Sequence, residues 1–336
     1  MQRDSENVLG VFLHQSRRVI EKPSVREKLT AIAEAVVEAG LFKRVAVQLY
    51  SDQYGEKLFG WAGLTEEEQD WLASHDTLGS SEYERVREYG RNLGGNIYFV
   101  LHDDLYQVID NPDSYLLASD VDWAGEGFWH PDDMLFAPLL SSGGSPLGNL
   151  TADEPFDGRV PTEATAALLA PFLAVASLLV EQDLERRRDP LTSCFNGPFF
   201  RNEVVQIAQN GELAGLFFLD MDNLKRTNDH NGHAAGDNLI QTTAQDLQQV
   251  VHDLLGRQGQ VFRLHGDEFV VIVKTGPVTV ANALNALYQN RNERLPNLSI
   301  GGAEHTSAEP LRELLARAEK AMYQDKWARK GGQAQQ

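Results

Sequence analysis

Cysteine is nearly absent from this 336-residue chain, Cys194 being the only one. A lone thiol excludes an intrachain disulfide framework and any zinc site built from several cysteines. It fits a reducing compartment, so the expected location is the cytoplasm. Long hydrophobic runs are also missing. The longest, ALLAPFLAVASLLV (167–180), is short for a bilayer span and contains Pro171, so a buried or partner-facing helix is expected there and no membrane span. The opening MQRDSENVLG is polar, without the apolar core of a secretory signal. No nucleotide-binding Gly-x-x-x-x-Gly-Lys-Ser/Thr loop is present: the Gly-rich stretch SSGGSPLG lacks the Lys-Ser/Thr pair and reads as a hairpin turn. Positive charge is in short supply, with 30 Lys and Arg against 49 Asp and Glu for a net charge of −19. The deficit is uneven: residues 1–188 carry 16 basic and 32 acidic side chains, residues 189–336 carry 14 and 17. The acidic first half repels nucleic acid and anionic membrane, so neither is an expected partner. The near-neutral second half can accept a polyanion where cations are placed locally.

The length favours two domains over one. The first half opens with a short helical pattern (Val8, Phe12, Ile20), and VREKLTAIAEAVVEAGLF then shows apolar residues at helical spacing up to Gly40. VAVQLY alternates as a strand, and NIYFVL follows a polar, helical middle. DDMLFAPLLSSGGSPLGNLTADEPFDGRVPT reads as strand, turn, strand and acidic loop. A helix from about Thr162 into Arg188 closes the half, with Leu168, Phe172, Val175 and Leu179 at the spacing of a short two-helix seam. Trp61, Trp71, Trp123 and Trp129 are candidates either for a ligand pocket or for ordinary packing.

In the second half, DPLTSCFNGPFF leads into a helix, the strand LFFLD, a loop, and a long helix from about Asp237 to Leu254. The hairpin FRLHGDEFVVIV, a helix near 280–289, the strand NLSIGGAEH and a closing helix complete it. The order α-β-α-β-β-α-β-α is that of a ferredoxin-like sheet with packed helices. The fold class is therefore α/β (α+β) in two domains.

The chemistry-bearing residues cluster in this half. LFFLD is a strand apolar on both faces that ends at Asp220, and Asp222 follows at strand spacing with the Met221 carbonyl between. These are hard oxygen donors suited to Mg²⁺, and the acids Asp267 and Glu268 at the hairpin tip can add another carboxylate if the strands are neighbours. An Asp-x-Asp at a strand end, taken alone, is mostly loop solvation. Between the two acid groups lies NDHNGHAAGD, with Asn228, Gly232, His233, Gly236 and Asp237 closely spaced. An Asn–Asp pair matches the donor and acceptor edge of guanine, though Asp237 reads equally as an N-cap of the helix that follows.

Four ordered motifs, DPLTSCFN, LDMDNLKRTNDHNGHAAGD, RLHGDEF and RAEKAMYQDK, resemble the GGDEF domain of diguanylate cyclases over about residues 187–331. The phrases WHPDDMLFAPL and SPLGNLTADEPFDGRVPTEAT resemble a GAF sensor module over roughly 20–180, with an antiparallel sheet and flanking helices. The implied division is a GAF-like sensor and dimerisation domain at 1–180, a helical linker at 181–188 and a cyclase domain at 189–332. The resemblance implies condensation of two GTP into cyclic di-GMP by a homodimer, with Mg²⁺ or Mn²⁺ as cofactor and an unidentified small molecule or signal at the GAF domain. It implies that Asp220, the Met221 carbonyl and Asp267 hold the metal, and that Asn228 and Asp237 read guanine with His233 nearby. Lys225, Lys326 and Lys330 meet phosphate, and Glu268 is a second ligand or takes a proton.

Two departures from the family pattern stand out. The tip reads His-Gly-Asp-Glu-Phe, with His265 where relatives have glycine, so a catalytically impaired domain that binds GTP or a protein is the alternative reading. An Arg-x-x-Asp product-binding motif is replaced by Gly256 and Gly259, so product inhibition through that site is not expected.

Overall fold

The computed structural model describes residues 5–50, 58–74, 79–109, 123–291, 294–295, 298–306 and 309–333. The chain divides into two compact units, Met1–Leu184 and Glu185–Gln336.

Unit 1 begins with helices α1 (Ser5–Glu21) and α2 (Val25–Glu38). A capping box starts α2: the Ser24 hydroxyl accepts from the Glu27 amide and the Glu27 carboxylate accepts from the Ser24 amide. Strands β1 (Phe42–Leu49) and β2 (Phe59–Ala62), helices α3 (Glu66–Ser74) and α4 (Ser80–Tyr89), and strands β3 (Arg91–Gly94) and β4 (Ile97–Val100) follow. Next come a one-turn helix α5 (Leu105–Val108), the hairpin β5 (Met134–Leu140) and β6 (Pro146–Pro155), and the long helix α6 (Glu163–Arg186). The six strands form one antiparallel sheet in the order β2-β1-β6-β5-β4-β3. Strand alternation splits its side chains between two cores. Leu135, Ala137 and Leu139 of β5 join the core that α1, α2 and α6 complete. Met134 and Phe136 point into a smaller cluster with Tyr50, Tyr83, Tyr98 and Leu105 on the other face.

The expected seam on α6 is rearranged by α1. Phe172 is buried and stacks on Phe12 at 4.5 Å between ring centroids, while Leu168 and Leu179 pack against the same core. The outward apolar positions are Val175 and Leu178, joined on α1 by Leu9, Leu13 and Ile20. Against the expectation drawn from the apolar run alone, the whole helix is long and apolar enough to cross a membrane by length and composition. Its stripe Leu169, Phe172, Leu173, Ala176, Val180 and Leu184 is buried within unit 1. Trp129 is core packing, wedged near Phe42 and Phe99, whereas Trp61 lies beside Phe59 and Trp123 is exposed.

Unit 2 contains strand β7 (Phe195–Asn196), helix α7 (Gly197–Gln209), strand β8 (Leu213–Met221) and helices α8 (Leu224–Asn231) and α9 (His233–Leu255). The hairpin β9 (Gly259–His265) and β10 (Glu268–Lys274), helix α10 (Val280–Asn290), strand β11 (Leu298–Glu304) and helix α11 (Leu311–Gln333) complete it. The sheet order is β11-β8-β10-β9-β7, antiparallel except where β7 runs parallel to β9. Cores lie on both faces: Phe217, Leu219, Phe269 and Val271 point to one, Leu216, Phe262, Val270 and Ile272 to the other. This explains why β8 and β10 read as continuous apolar runs.

The segment expected as a loop before the long helix is helical. Helix α8 occupies 224–231 and α9 starts at His233, the break falling at Gly232 with φ of 82°. Asn, Asp and His have modest helix propensity, so this polar stretch looks like a loop until its packing is known. The helix N-cap is therefore Gly232, and Asp237 lies beyond the first turn rather than capping it.

Candidate active site

Strand register brings the two acid groups together. Glu268 of β10 lies directly opposite Asp220 of β8, and the Met221 amide donates to the Asp267 carbonyl at 3.1 Å. Asp220 and Met221 are buried and Asp267 is half-buried. Lys326 of α11 reaches this corner and donates from Nζ to Asp220 Oδ1 at 2.5 Å. Burial pushes the Asp220 carboxyl above its ordinary value; the Lys326 hydrogen bond opposes that shift, and the nearby Asp267 and Asp222 charges add to it. Burial likewise raises Glu268, with His265 opposing and Asp220 and Asp267 reinforcing. Burial alone would lower the Lys326 ammonium, but the Asp220 hydrogen bond and the charges of Asp220, Asp267 and Asp222 raise it. Several like charges thus share one partly desolvated corner with a single lysine contact. An all-oxygen donor set whose members repel one another fits a hard divalent cation such as Mg²⁺.

Asp222, expected to project beside Asp220, is engaged elsewhere. Ser299 Oγ donates to its Oδ1 at 2.8 Å, and the Arg329 guanidinium lies 2.7 Å from its Oδ2. Asp222 therefore ties β8 to β11 and α11.

The hairpin tip shows what His265 does to the backbone. Its backbone is extended and pairs with Glu268, while the left-handed residue is Gly266 at φ of 55°. Positive φ at the first central position is what a tight two-residue hairpin asks of glycine, so the backbone makes no such demand at 265. The His265 side chain is 76% exposed, with Nε2 3.4 Å from Glu268 Oε2.

The nucleobase candidates gather where α8 meets α9. The half-buried Asn228 side chain sits against Gly236, where an added Cβ would fall 1.8 Å from Asn228 Oδ1. That oxygen is buried and has no hydrogen-bond partner among the described residues. An orphaned acceptor of this kind has a strong preference for a donor. His233 and Asp237 are exposed, four residues apart on α9 and hence on one face. Lys225 is exposed in the first turn of α8. Lys330 falls within α11, but its side chain lies outside the described residues.

Several supporting residues escape sequence reasoning. Asp325 accepts from Arg291 at 2.6 Å and from the Ile300 amide at 3.0 Å, holding α11 to the sheet one residue before Lys326. Gly301 permits this contact, because a Cβ there would fall 1.9 Å from the Met322 nitrogen. Arg263 holds the tip by donating to the Gly266 carbonyl and to Asp189. Proximity in sequence signals none of the long-range pairs; the glycine pair in SIGGAEH was the one local clue to a close helix.

Fold and site together define a ferredoxin-like domain with an oxygen-lined corner at a strand end. Residues 186–332 match the family described as "Diguanylate cyclase, GGDEF domain". The chain is 34% identical over 169 residues to the "Uncharacterized 19.3 kDa protein in repSA 5'region" of Streptomyces ambofaciens, covering 47% of this chain and 90% of that protein. It is 34% identical over 158 residues to "Diguanylate cyclase DgcN" of Escherichia coli (strain K12), covering 42% of this chain and 37% of DgcN. A crystal structure of the GGDEF domain of DgcB from Caulobacter crescentus in complex with c-di-GMP is similar at 25% identity and a TM-score of 0.37, over 42% of this chain and 91% of that one. Through its C-terminal unit the chain belongs to the GGDEF family.

Proposed function

We propose that the chain is a diguanylate cyclase that condenses two GTP into cyclic di-GMP with release of pyrophosphate. The observation that carries this reading is the convergence of Asp220, Asp267 and Glu268 from two strands onto the corner that Lys326 enters. Asp220, the Met221 carbonyl and Asp267 would hold Mg²⁺ or Mn²⁺, which when bound offsets phosphate charge and makes a nearby hydroxyl more acidic. Asn228 accepts from the guanine edge through its orphaned oxygen, with Asp237 alongside and His233 at the rim. Lys326 and Lys225 bind phosphate oxygens, as does Lys330. Glu268, whose carboxyl is raised by burial, takes the proton of the attacking 3′-hydroxyl. The 3′-oxygen attacks the α-phosphorus in line, and the bond to the leaving pyrophosphate breaks; a second round on the partner nucleotide closes the ring. Most of the rate then comes from positioning and charge stabilisation.

One domain holds one nucleotide, so turnover requires two copies face to face. The outward residues Val175 and Leu178 of α6, with Leu9, Leu13 and Ile20 of α1, suit a homodimer seam. We assign unit 1 as a GAF-like sensor on the strength of its six-stranded antiparallel sheet flanked by helices. Its signal would act through α6 on the approach of the two cyclase domains, in the cytoplasm.

A second reading, a GTP- or protein-binding regulator without turnover, rests on the contact between His265 and Glu268. Incubation with GTP and Mg²⁺ or Mn²⁺ separates the two. The cyclase reading expects a cyclic dinucleotide from the full chain and none from Asp267→Ala. Nucleotide binding without product from the full chain would establish the regulator instead.

A further inference from the structure

Independently of the catalytic reading, we propose that unit 1 carries a second metal site, for a divalent first-row transition ion, built on His102 and His130. His102 follows β4 directly, and His130 lies in the turn that leads into β5. Neighbouring strands of one sheet bring the two together across 28 residues of chain. Their imidazoles stack at 3.8 Å between centroids with 20° between planes. One donor atom each from His102, His130 and Asp133 lies within 4.8 Å of the other two.

The hydrogen bonds around the rings assign the roles. Asp133 is buried, and its Oδ1 accepts from the His102 amide and from His102 Nδ1, both at 2.9 Å. Its Oδ2 accepts from the His130 amide at 2.9 Å. With the ring hydrogen held on Nδ1 by this carboxylate, His102 presents the lone pair of Nε2 outward. A carboxylate behind a histidine is the usual way a metal-binding imidazole is oriented and made more basic. Asp133 is thus a positioning residue, its oxygens already occupied by three N–H groups.

Carboxylates that can complete the set flank each ring. Asp103 Oδ1 is 3.8 Å from His102 Nε2. His130 Nδ1 accepts from the Asp132 amide at 3.1 Å and lies 3.8 Å from Asp132 Oδ2, so binding an ion at this nitrogen exchanges that amide hydrogen bond for a metal bond. These spacings slightly exceed the roughly 3.3 Å edge of a tetrahedron built on bonds of about 2.0 Å, so small side-chain rotations close them. The rings are about one quarter exposed, at 26% and 23%, so an ion can reach them from solvent. The acidic balance of residues 1–188 favours a cation there. Paired imidazoles with carboxylate oxygens select Zn²⁺, Fe²⁺, Co²⁺ or Ni²⁺ over Mg²⁺ or Ca²⁺. This separates the site chemically from the all-oxygen corner in unit 2.

Trp123 supplies a reporter. Its ring lies 5.9 Å from that of His102 and 5.4 Å from that of His130, close enough for a paramagnetic ion to quench it. The full chain, stripped with EDTA and held in excess Mg²⁺ to saturate the oxygen corner, is titrated with Co²⁺. The expected result is one Co²⁺ per chain, visible as d–d absorption and as loss of tryptophan fluorescence, and displaced by Zn²⁺. His102→Gln and His130→Gln, tested separately so that one folded variant suffices and each checked by circular dichroism, weaken Co²⁺ binding about tenfold or more. Trp123→Phe removes most of the quenching and keeps the absorption. Co²⁺ binding no tighter in the full chain than in the folded histidine variants overturns the proposal.

Discussion

Arg263 donates from Nη1 to Asp189 Oδ1 at 2.8 Å. The same guanidinium donates from Nε and Nη2 to the Gly266 carbonyl at 3.1 and 2.8 Å. The residue that opens the DPLT motif is therefore fastened, through one side chain, to the hairpin tip that carries Asp267. Burial draws the Asp189 carboxyl upward, but hydrogen bonds from Arg263 and Thr192 outweigh it and hold the group below the usual range. A lowered carboxyl stabilises the fold above the unfolded value of about 3.9, and that stability is lost as pH falls through the folded value.

Arg263→Ala should therefore lower the turnover number more than nucleotide affinity. A tip displaced by a fraction of an ångström to an ångström costs roughly tenfold to a hundredfold in rate. Initial rates of cyclic dinucleotide formation, set beside calorimetric nucleotide affinity, check this. Equal losses in both would place Arg263 in binding instead.

His265→Gly, which restores the usual family residue, should change the rate by less than about threefold, because the backbone at 265 is ordinary and the side chain faces solvent. The comparison is made at saturating GTP. A rise of an order of magnitude would mean that the imidazole obstructs the nucleotide.

Asp153 should titrate far above an ordinary aspartate. Burial raises it to about 6, against the opposing charge of Arg44 and hydrogen bonds from the Glu154 amide and Trp129. Since the folded value lies above the unfolded one of about 3.9, the protonated carboxyl favours folding. That contribution is complete below about pH 4 and is lost as pH rises through about 6. Carboxyl chemical shifts followed by NMR give the midpoint directly.

Gln260→Leu should stabilise unit 2. Gln260 is 4% exposed, and neither of its amide atoms has a hydrogen-bond partner among the described residues. An unmet buried amide costs on the order of 1–3 kcal/mol, so the melting temperature should rise by roughly 2–12 °C. Thermal denaturation of the two proteins measures it.

Asp220, Asp267 and Glu268 were legible as neighbours because each stands at the end of an apolar strand run. Asp222 lies past the end of β8, where alternation no longer fixes its direction, and turns to Ser299 and Arg329. The run LFFLD marked β8 as a doubly buried strand, and the order of elements gave four strands of the sheet but not the two-residue β7, which is too short to show in the pattern. Helix α8 was hidden because its stability comes from packing rather than from its Asn, Asp and His residues. The outward face of α6 was misplaced because Phe172 is taken by Phe12, a tertiary choice that helical spacing does not encode. Arg263 with Asp189 and His102 with Asp133 are pairs made by folding alone, separated by 74 and 31 residues.

The most direct test of the central claim is the Mg²⁺ dependence of nucleotide affinity, measured by calorimetry with a GTP analogue that cannot react. The full chain should bind the analogue at least about tenfold more tightly with Mg²⁺ than without, and Asp220→Asn and Asp267→Asn should each abolish the difference. A Mg²⁺ effect that survives both substitutions would contradict the assignment of those two carboxylates as its ligands.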